Sequence, residues 1–500
     1  MAKELFSRRD FLKFLGLNLA LVSLDLSSCS RLFEDNFDFQ AINASREDQL
    51  ILAPGFSYDI VRSWKDPINS SELFGTNNDY LAFFELNKNQ ALLWVNHEGI
   101  DTQYIKDHQE QRKSVGGSVI AIEKQKQKWQ FSHNPELQEK YNCRYDANTP
   151  VTYSGPASQI LGDYFGTLAN CSGGITPWNT VLSCEENYNH FTKYYKWKNF
   201  KDEYYGWVVE IDPFNKNCLP VKHTALGRFM HENAATVLAK DKRLVVYMGD
   251  DTNNEHIYKY VSKNSYQEGQ ENPSKLLEEG DLYVAQLDSA NKRGKWKILN
   301  LSDPKLAEKF SSQGELLIET RKAAKIIGAT KMNRPEDIEV SPYDNSIFIA
   351  QTHNPNQNDK HGSILKIVED QNDFTSPEFS YSYFLEGGEE AGLTSPDNLA
   401  FDNRGNLWVC SDVYGPDLWQ ADYKFAGNNS LFCIPLRGKE AGKVKRFASA
   451  PNGAEITGPC FSKDFKTLFL SIQHPGEFPS KSTWPTNSEP RSCVVAINLV

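Results

Sequence analysis

The chain has 500 residues, of which 39% are hydrophobic and 24% are charged, and this composition is typical of a globular protein. Such a length suits one large β-architecture or about two to three ordinary domains. A formal net charge of −11 argues against a nucleic-acid partner, because nucleic-acid phosphates need a basic surface. Beyond the N-terminal region, the sequence contains no stretch that is long and apolar enough to span a bilayer.

The N-terminus has the pattern of an export signal, with a basic start, an apolar run and then small residues. Residues 7–13 read SRRDFLK and resemble the twin-arginine signal, whose paired arginines are read by the export machinery. Residues 26–29 read LSSC and resemble a lipobox, which would make Cys29 a lipidated membrane anchor; a plain signal peptide cut nearby is the alternative. We therefore expect a signal segment at 1–29, a lead-in at 30–60, and export to the periplasm or the outer cell surface.

Apolar runs that end in polar clusters recur along the rest of the chain. Six such runs are ALLWVNHE at 91–98, TVLSCEEN at 180–187, LVVYMGDD at 244–251, SIFIAQTHN at 346–354, LWVCSD at 407–412 and LFLSIQHP at 468–475. Most of them follow a polar cluster, a short strand and a turn, and this order is typical of a β-hairpin. Because the first strand of a hairpin starts beside the end of the second, the two polar clusters of each unit should meet.

Six hairpins arranged around an axis predict an all-β fold, a six-bladed β-propeller formed by residues 61–500 as one domain. The polar clusters would then lie at one mouth of the central channel. Residues 98–170 and 252–330 are long, charged and partly helical in pattern, as in KAAKIIGAT. We expect these helical and loop insertions to decorate or cover the mouth, and the final run VVAINLV to pair into a blade and close the ring.

The predicted mouth collects too many carboxylates for them to stay unpaired, because like charges repel. The candidates are Glu185, Glu186, Glu232, Glu336, Asp337 and Asp397, whose oxygens suit hard cations such as Ca²⁺ or Fe³⁺. Cys184 adds a thiolate, which iron accepts as a ligand and calcium does not. A mixed metal site is therefore predicted. The alternatives are that acidic strand ends only form turns and that Cys184 is a small buried hydrophobe.

Arg334, in the segment NRPEDIE, is the cation within this acidic set and the candidate catalytic residue. A lone arginine can be a structural ion-pair partner, whereas beside metal ions it would hold a tetrahedral oxyanion through two hydrogen bonds. Metal ions and one arginine that face a cavity form an arrangement suited to phosphoryl transfer. Since the sequence has no Walker-type glycine loop, we expect ester hydrolysis rather than nucleotide-dependent transfer.

These segments resemble the PhoX-type alkaline phosphatases, which are exported bacterial phosphomonoesterases. The matching segments include FGTNNDYLAFF (74–84), LLWVNHEGI (92–100), NCSGGITPWNTVLSCEEN (170–187), LGRFMHENA (226–234), NRPEDIE (333–339), SPDNLAFD (395–402) and TWPTNSEPRSCVVAI (483–497). The resemblance implies a six-bladed propeller with an iron–calcium cofactor that hydrolyses small phosphate esters. We also expect the protein to be a monomer.

The resemblance implies a role for each matched residue. Cys184 would be the thiolate ligand of an iron pair, the carboxylate ligands would be Glu232, Glu336 and Asp397, and Glu185 and Glu186 would bind metal on the calcium side. Arg334 would hold the substrate phosphate, and no serine or threonine side chain need be phosphorylated.

Two other functions remain open at the level of the sequence. The stretch SPDNLAFDNRGNLWVCSD also resembles a blade of the gluconolactonases, in which an acidic pair holds one Ca²⁺ that polarises a lactone carbonyl. The chain could instead be a non-catalytic propeller scaffold made rigid by calcium. Metal analysis separates the phosphatase from the lactonase, because a lactonase site should carry calcium and no iron.

Overall fold

The computed structural model describes residues 38–162, 164–198, 200–354 and 357–499. The chain divides into two units, residues 1–39 and residues 40–500. The predicted export signal and Cys29 lie outside the described residues. Among the residues that are described, no helix has the length and the apolar character needed to cross a membrane.

Strands dominate the second unit. In chain order they are β1 Ile51–Leu52, β2 Tyr58–Ser63, β3 Asn78–Asn87, β4 Gln90–His97, β5 Gly116–Gln125, β6 Lys128–Phe131, β7 Cys143–Tyr145, β8 Pro150–Ser154, β9 Tyr164–Phe165, β10 Asn170–Ile175, β11 Val181–Glu185, β12 Val208–Ile211, β13 Val221–His223, β14 Ala235–Leu238, β15 Arg243–Gly249, β16 Ile257–Ser265, β17 Gly280–Asp288, β18 Arg293–Ile298, β19 Pro335–Val340, β20 Ile347–Gln351, β21 Ser363–Glu369, β22 Glu378–Glu386, β23 Pro396–Phe401, β24 Asn406–Ser411, β25 Ser430–Pro435, β26 Lys445–Ser449, β27 Glu455–Phe461, β28 Thr467–Gln473 and β29 Cys493–Asn498. Strands hold 40% of the residues and helices 13%, which confirms the β class predicted from the sequence.

The helices are short and lie between the strands. The α-helices are α1 His108–Ser114, α2 Pro135–Tyr141, α3 Ser158–Leu161, α4 His190–Lys193, α5 Pro304–Ala307, α6 Gln313–Ile318 and α7 Thr320–Ile326; 3₁₀ turns occur at Asp202–Tyr204, Thr224–Leu226, Pro273–Leu277, Asp370–Asn372, Asp417–Trp419 and Ala421–Tyr423. The helix expected around KAAKIIGAT is α7. Helix α1 begins at an N-cap, Asp107, whose side chain accepts hydrogen bonds from the backbone N–H groups of Gln109 and Glu110.

Most neighbouring strands pair in antiparallel fashion along the chain, whereas β13 pairs with β8 in parallel. The sheet orders are β3-β4-β5-β6; β10-β11-β12-β13-β8-β9; β14-β15-β16-β17-β18-β22-β21-β20-β19; β1-β26-β25-β24-β23; and β2-β29-β28-β27. Six strands, two of them at the two ends of the nine-stranded sheet, contact one another in the order β3, β10, β14, β19, β23 and β27, and β27 contacts β3 again. The strand groups therefore form a closed series of neighbours.

Strand β4 explains why the apolar runs of the sequence are continuous rather than alternating. Leu92 and Trp94 on one face pack with Val209 of β12. On the other face, Leu93 packs with Phe469 of β28. A strand covered on both faces by neighbouring sheets needs apolar residues at every position. Each fully buried leucine or phenylalanine stabilises this arrangement by about 1.5–3 kcal/mol relative to an exposed one.

Three segments differ from the sequence expectation. Residues 98–170 and 252–330, expected to be decorating insertions, contain sheet strands as well as helices and loops, among them β5, β6, β16 and β17. The exposed ends of these strands carry charged side chains, and for this reason the strands resemble loops in the sequence. The expected lead-in at 30–60 also contributes structure, since β1 pairs with β26 and β2 pairs with β29.

Candidate metal centre

Seven acidic or thiol side chains converge where the strands begin and end. They form three groups, Asp79 with Glu98 and Cys171, Cys171 with Glu186 and Glu232, and Glu232 with Glu336 and Asp397, and within each group the ligand atoms lie within 4.8 Å of one another. Because Cys171 and Glu232 each belong to two groups, the three groups are continuous. We call these seven residues the acidic centre.

Hairpin register brings the acidic centre together. Asn78 at the start of β3 pairs with His97 at the end of β4, which places Asp79 and Glu98 at the same end of that hairpin. In the same way, Asn170 pairs with Glu185, so that Cys171 and Glu186 lie at one end of the next hairpin. An isolated bridge between His231 and Asp250 does the same for Glu232 and Asp251. The expectation that opening and closing polar clusters meet is confirmed in these hairpins.

The carboxylates of the acidic centre lie in an unfavourable environment for negative charge. Asp79, Glu186, Glu232, Glu336 and Asp397 are all buried. Burial, followed by the charges of Glu336 and Asp397, raises the pKa of Glu232 well above its usual value. Burial also raises the pKa of Glu186, and the neighbouring Asp251 raises it further. So many acids can all ionise only when a positive charge lies among them.

The donor atoms of the acidic centre fit metal ions. Oxygen Oε1 of Glu186 is buried and has no hydrogen-bond partner among the described residues, so it is free to bind a cation. The carboxylate oxygens suit calcium, and the single sulfur, Sγ of Cys171, suits a softer transition metal. This thiol lies 3.5 Å from Oδ2 of Asp79. The residues present therefore fit a mixed metal site, as the sequence predicts.

The structure brings together four of the predicted metal ligands, Glu186, Glu232, Glu336 and Asp397. Cys184 is not with them. Its side chain is fully buried in an apolar cluster that includes Leu182 and Val208. This surrounding agrees with the alternative of a small buried hydrophobe and speaks against the predicted ligand role of Cys184. The thiol of the acidic centre is Cys171, on the neighbouring strand.

Glu185 also lies apart from the acidic centre, in a buried ion pair. Its Oε1 is 2.8 Å from Nζ of Lys222, and both side chains are fully buried. Its carboxylate also accepts hydrogen bonds from the hydroxyl of Thr167 at 3.0 Å and the backbone N–H of Gly206 at 3.1 Å. With its charge balanced and its oxygens occupied, Glu185 joins β11 to β13 and has a structural environment rather than that of a metal ligand.

Asp337 connects two strand groups. One carboxylate oxygen accepts a hydrogen bond from the backbone N–H of Ile338 at 2.9 Å, and the other accepts one from the backbone N–H of Leu399, also at 2.9 Å. Burial raises the pKa of Asp337 to about 7, although these hydrogen bonds act in the opposite direction. Both oxygens are thus used to hold β19 against β23, which speaks against the ligand role predicted for Asp337.

Arg334 lies at the edge of the acidic centre, as the sequence predicts. Its Nε and Nη2 each donate a hydrogen bond of 2.8 Å to the carboxylate of Asp251, and Nη2 is 2.9 Å from Oε1 of Glu336. Nitrogen Nη1 makes no hydrogen bond within the described part of the chain, and 21% of the side chain is exposed. The guanidinium is therefore held on one edge and open to a ligand on the other.

Four residues of this site are absent from the sequence prediction: Asp79, Glu98, Cys171 and Asp251. Their signal was present, because Glu98 and Asp251 end the runs VNHE and MGDD. Asp79 and Cys171 come second in the opening strands β3 and β10. All four lie in the opening or closing segment of a hairpin, where the two polar ends of the unit meet.

The chain is similar to one family and to several solved structures. The sequence profile of the family described as Alkaline phosphatase PhoX matches residues 37–476. The structure of Pseudomonas fluorescens PhoX in complex with vanadate, a transition state analogue, matches with 31% identity and a TM-score of 0.85, covering 94% of this chain and 98% of that one. A gluconolactonase from Xanthomonas campestris matches with 10% identity and a TM-score of 0.37, covering 92% and 98%. A search of curated proteins finds no match.

Proposed function

Because the chain belongs to the PhoX family of alkaline phosphatases, it is a phosphomonoesterase, and we propose that it hydrolyses small phosphate esters at the acidic centre. The observation that carries this assignment is the convergence of seven donor side chains, six of them buried, beside the open edge of Arg334. Family membership decides in favour of this reaction over the lactonase and the scaffold that the sequence alone leaves open.

We propose that the acidic centre holds iron at its thiol end and calcium among its carboxylates. Cys171 and its neighbours would hold the iron, because a thiolate is a ligand for iron and not for calcium. Glu232, Glu336 and Asp397 would supply oxygen ligands, and the unpaired oxygen of Glu186 supports a further contact. When bound, such ions polarise a phosphoryl oxygen and neutralise negative charge.

Arg334 would orient the phosphate. Asp251 fixes the guanidinium through Nε and Nη2, which leaves the edge at Nη1 to donate hydrogen bonds to a phosphate oxygen. A fixed cation of this kind stabilises the charge that spreads over the equatorial oxygens of the transferring group. Fixing the guanidinium in advance also avoids the cost of ordering a long side chain when substrate binds.

We propose a six-bladed propeller spanning residues 61–500, in which the nine-stranded sheet supplies two blades and each of the other four sheets supplies one. The closed series of contacts from β3 through β27 and back to β3 supports this arrangement. The pairing of β29 with β2 supports ring closure by the C-terminal run, because the two strands come from opposite ends of the domain. The acidic centre would then lie at one mouth of the central channel.

We also propose that the protein acts as a monomer in the periplasm or on the outer cell surface. The twin-arginine pattern at 7–13 supports export through that pathway, and the LSSC motif supports lipidation at Cys29. In this proposal residues 1–29 form the signal segment.

Hydrolysis of p-nitrophenyl phosphate by the full-length, metal-loaded protein tests the proposed function. Replacement of Arg334 by alanine should lower kcat/KM by about 100-fold or more, since a positioned donor to the transition state is worth that much. The control is Arg293→Ala, because Arg293 pairs with Asp370 away from the acidic centre. No turnover by the loaded wild-type protein would overturn the function, and full activity of Arg334→Ala would overturn the role of this arginine.

A further inference from the structure

Three large aromatic side chains are exposed on loops that follow the second strands of three hairpins. Tyr194 and Tyr414 are each 56% exposed, and Phe478 is 82% exposed. Tyr194 follows β11 and α4, Tyr414 follows β24, and Phe478 follows β28. We call these three residues the aromatic rim. Exposed aromatic residues grouped beside a binding site are typical of a contact surface for a ligand.

The loops that carry the aromatic rim lie against one another. A Cβ atom placed on Gly415 would be 3.0 Å from the backbone oxygen of Phe478, so the loops of Tyr414 and Phe478 are in close contact. The loop that leads to Tyr194 and the strand that leads to Phe478 both contact Glu98, through Asn187 and Gln473.

The same loops are joined to the acidic centre at Glu98. The side chain of Gln473, at the end of β28, donates a hydrogen bond of 2.8 Å to Oε2 of Glu98. Asn187, in the loop that leads to Tyr194, is 3.4 Å from the other oxygen of Glu98. Two of the three loops of the rim are therefore anchored at the acidic centre through Glu98.

The segment that carries Tyr194 is also basic. Lys193, Lys196 and Lys198 are all exposed, in a chain with a net charge of −11. The ammonium of Lys193 lies 4.7 Å from the centre of the Tyr194 ring, where it can interact with the ring face. This local positive charge complements an anionic ester that approaches the rim.

We propose that the aromatic rim binds the planar organic group of the phosphate ester, so that the enzyme prefers aryl and nucleoside phosphates to small alkyl phosphates. The inference rests on the proposed function of the acidic centre. Planar rings stack on tyrosine and phenylalanine, whereas a short alkyl group offers little area for such contact. The rim determines specificity and takes no part in the chemical step.

Kinetics with two esters test the rim. In the metal-loaded double variant Tyr194→Ala/Tyr414→Ala, kcat/KM for phenyl phosphate should fall about tenfold, while that for ethyl phosphate should stay within about twofold of wild type. Tyr383→Ala is the matched control, because Tyr383 is 46% exposed on β22 and lies outside the rim. Equal losses for the two esters, or no loss for phenyl phosphate, would overturn the proposal.

Binding measured by calorimetry separates the rim from the reaction. Phenylphosphonate and ethylphosphonate lack an ester bond, and the wild-type protein should bind the phenyl compound about tenfold more tightly. The double variant should bind both with similar affinity. Selective binding without turnover of any ester would support the rim and overturn the proposed reaction. Equal affinities in the wild-type protein, or no binding of either compound, would overturn the rim.

Discussion

At the scale of single residues, Cys171 and Cys184 show how strand geometry separates neighbouring side chains. Successive residues of a strand point to opposite faces. On β11, Leu182 and Cys184 share the face that packs into the apolar core. Glu186 lies beyond the last residue of β11 and turns into the acidic centre. Adjacency in Cys-Glu-Glu therefore does not mean proximity, and the three residues have three different environments.

Under the proposed iron–calcium assignment, Cys171→Ser should lose most of the iron that the wild-type protein takes up, because the replacement removes the one thiol of the acidic centre. Cys184→Ala should keep its metals and lose only about 1 kcal/mol of stability from a small cavity. Metal content by mass spectrometry and thermal unfolding of the two variants measure these effects. Normal iron in Cys171→Ser together with iron loss in Cys184→Ala would restore the ligand role to Cys184.

The ion pair of Glu185 also depends on a partner that is distant in the sequence. Its partner Lys222 is distant in sequence and is brought to 2.8 Å by the pairing of β11, β12 and β13. Burial lowers the pKa of Lys222 and raises that of Glu185, while the attraction between the two charges opposes both shifts. Only the fold shows that this carboxylate is already neutralised by a lysine and does not need a metal ion.

At the scale of elements, the β12–β13 edge is held by buried polar contacts away from the acidic centre. Oε2 of Glu210, on β12, is 2.8 Å from Nε2 of His223 on β13. The other oxygen, Oε1, accepts hydrogen bonds from Trp178 at 2.7 Å and Thr180 at 2.6 Å. Burial alone would raise the pKa of Glu210, but the contacts with His223, Thr180 and Trp178 outweigh it and lower the pKa to about 2.

This lowered pKa predicts how stability depends on pH. The ordinary pKa is 4.5, so the contribution of Glu210 is fully present above that pH and is lost as the pH falls towards about 2. The shift corresponds to about 3 kcal/mol. Glu210→Gln should therefore be less stable than wild type at pH 7 by about that amount, and the difference should shrink at acid pH.

Urea unfolding of wild type and Glu210→Gln between pH 2 and pH 7 measures that difference. Glu110→Gln is the control. Glu110 lies on the exposed first turn of α1, so this substitution should leave the pH dependence of the unfolding free energy unchanged. A stability difference between wild type and Glu210→Gln that stays constant over the whole pH range would show that the carboxylate is not stabilised in its charged form.

At the scale of the whole molecule, strand β29 joins the two ends of the described chain. It pairs with β28 on one side and with β2 on the other, and so it lies inside its sheet. Val494 and Val495 of this strand are fully buried. The predicted pairing of the run VVAINLV is confirmed, and its loss would expose the backbone edges of both neighbouring strands.

Deletion of residues 493–500 should abolish the cooperative unfolding transition. The point variant Val495→Asp should lower the free energy of unfolding by about 3 kcal/mol or more, because it buries an unpaired charge. The half-buried Asn498, substituted by aspartate, serves as the milder control. Calorimetry of the purified variants measures the transitions. A truncated chain that unfolds at the wild-type temperature would show that β29 does not hold the domain together.

The sequence by itself determined the β class, the strand ends and four residues of the acidic centre. Hydrophobic periodicity and hairpin order are local, and a local pattern is sufficient to show that strands end in acids. Glu186 was identified in this way because it lies in the polar cluster that closes a predicted hairpin, and Glu232, Glu336 and Asp397 because each lies in a cluster that opens one.

Only the tertiary structure decided which of those acids meet and which are already paired. Lys222 neutralises Glu185, and two backbone N–H groups occupy the oxygens of Asp337. Cys171 rather than Cys184 faces the acids, since the two lie on different strands and only one faces the centre. Side-chain direction and long-range partners arise from strand register and sheet packing, and the order of residues along one segment does not contain them.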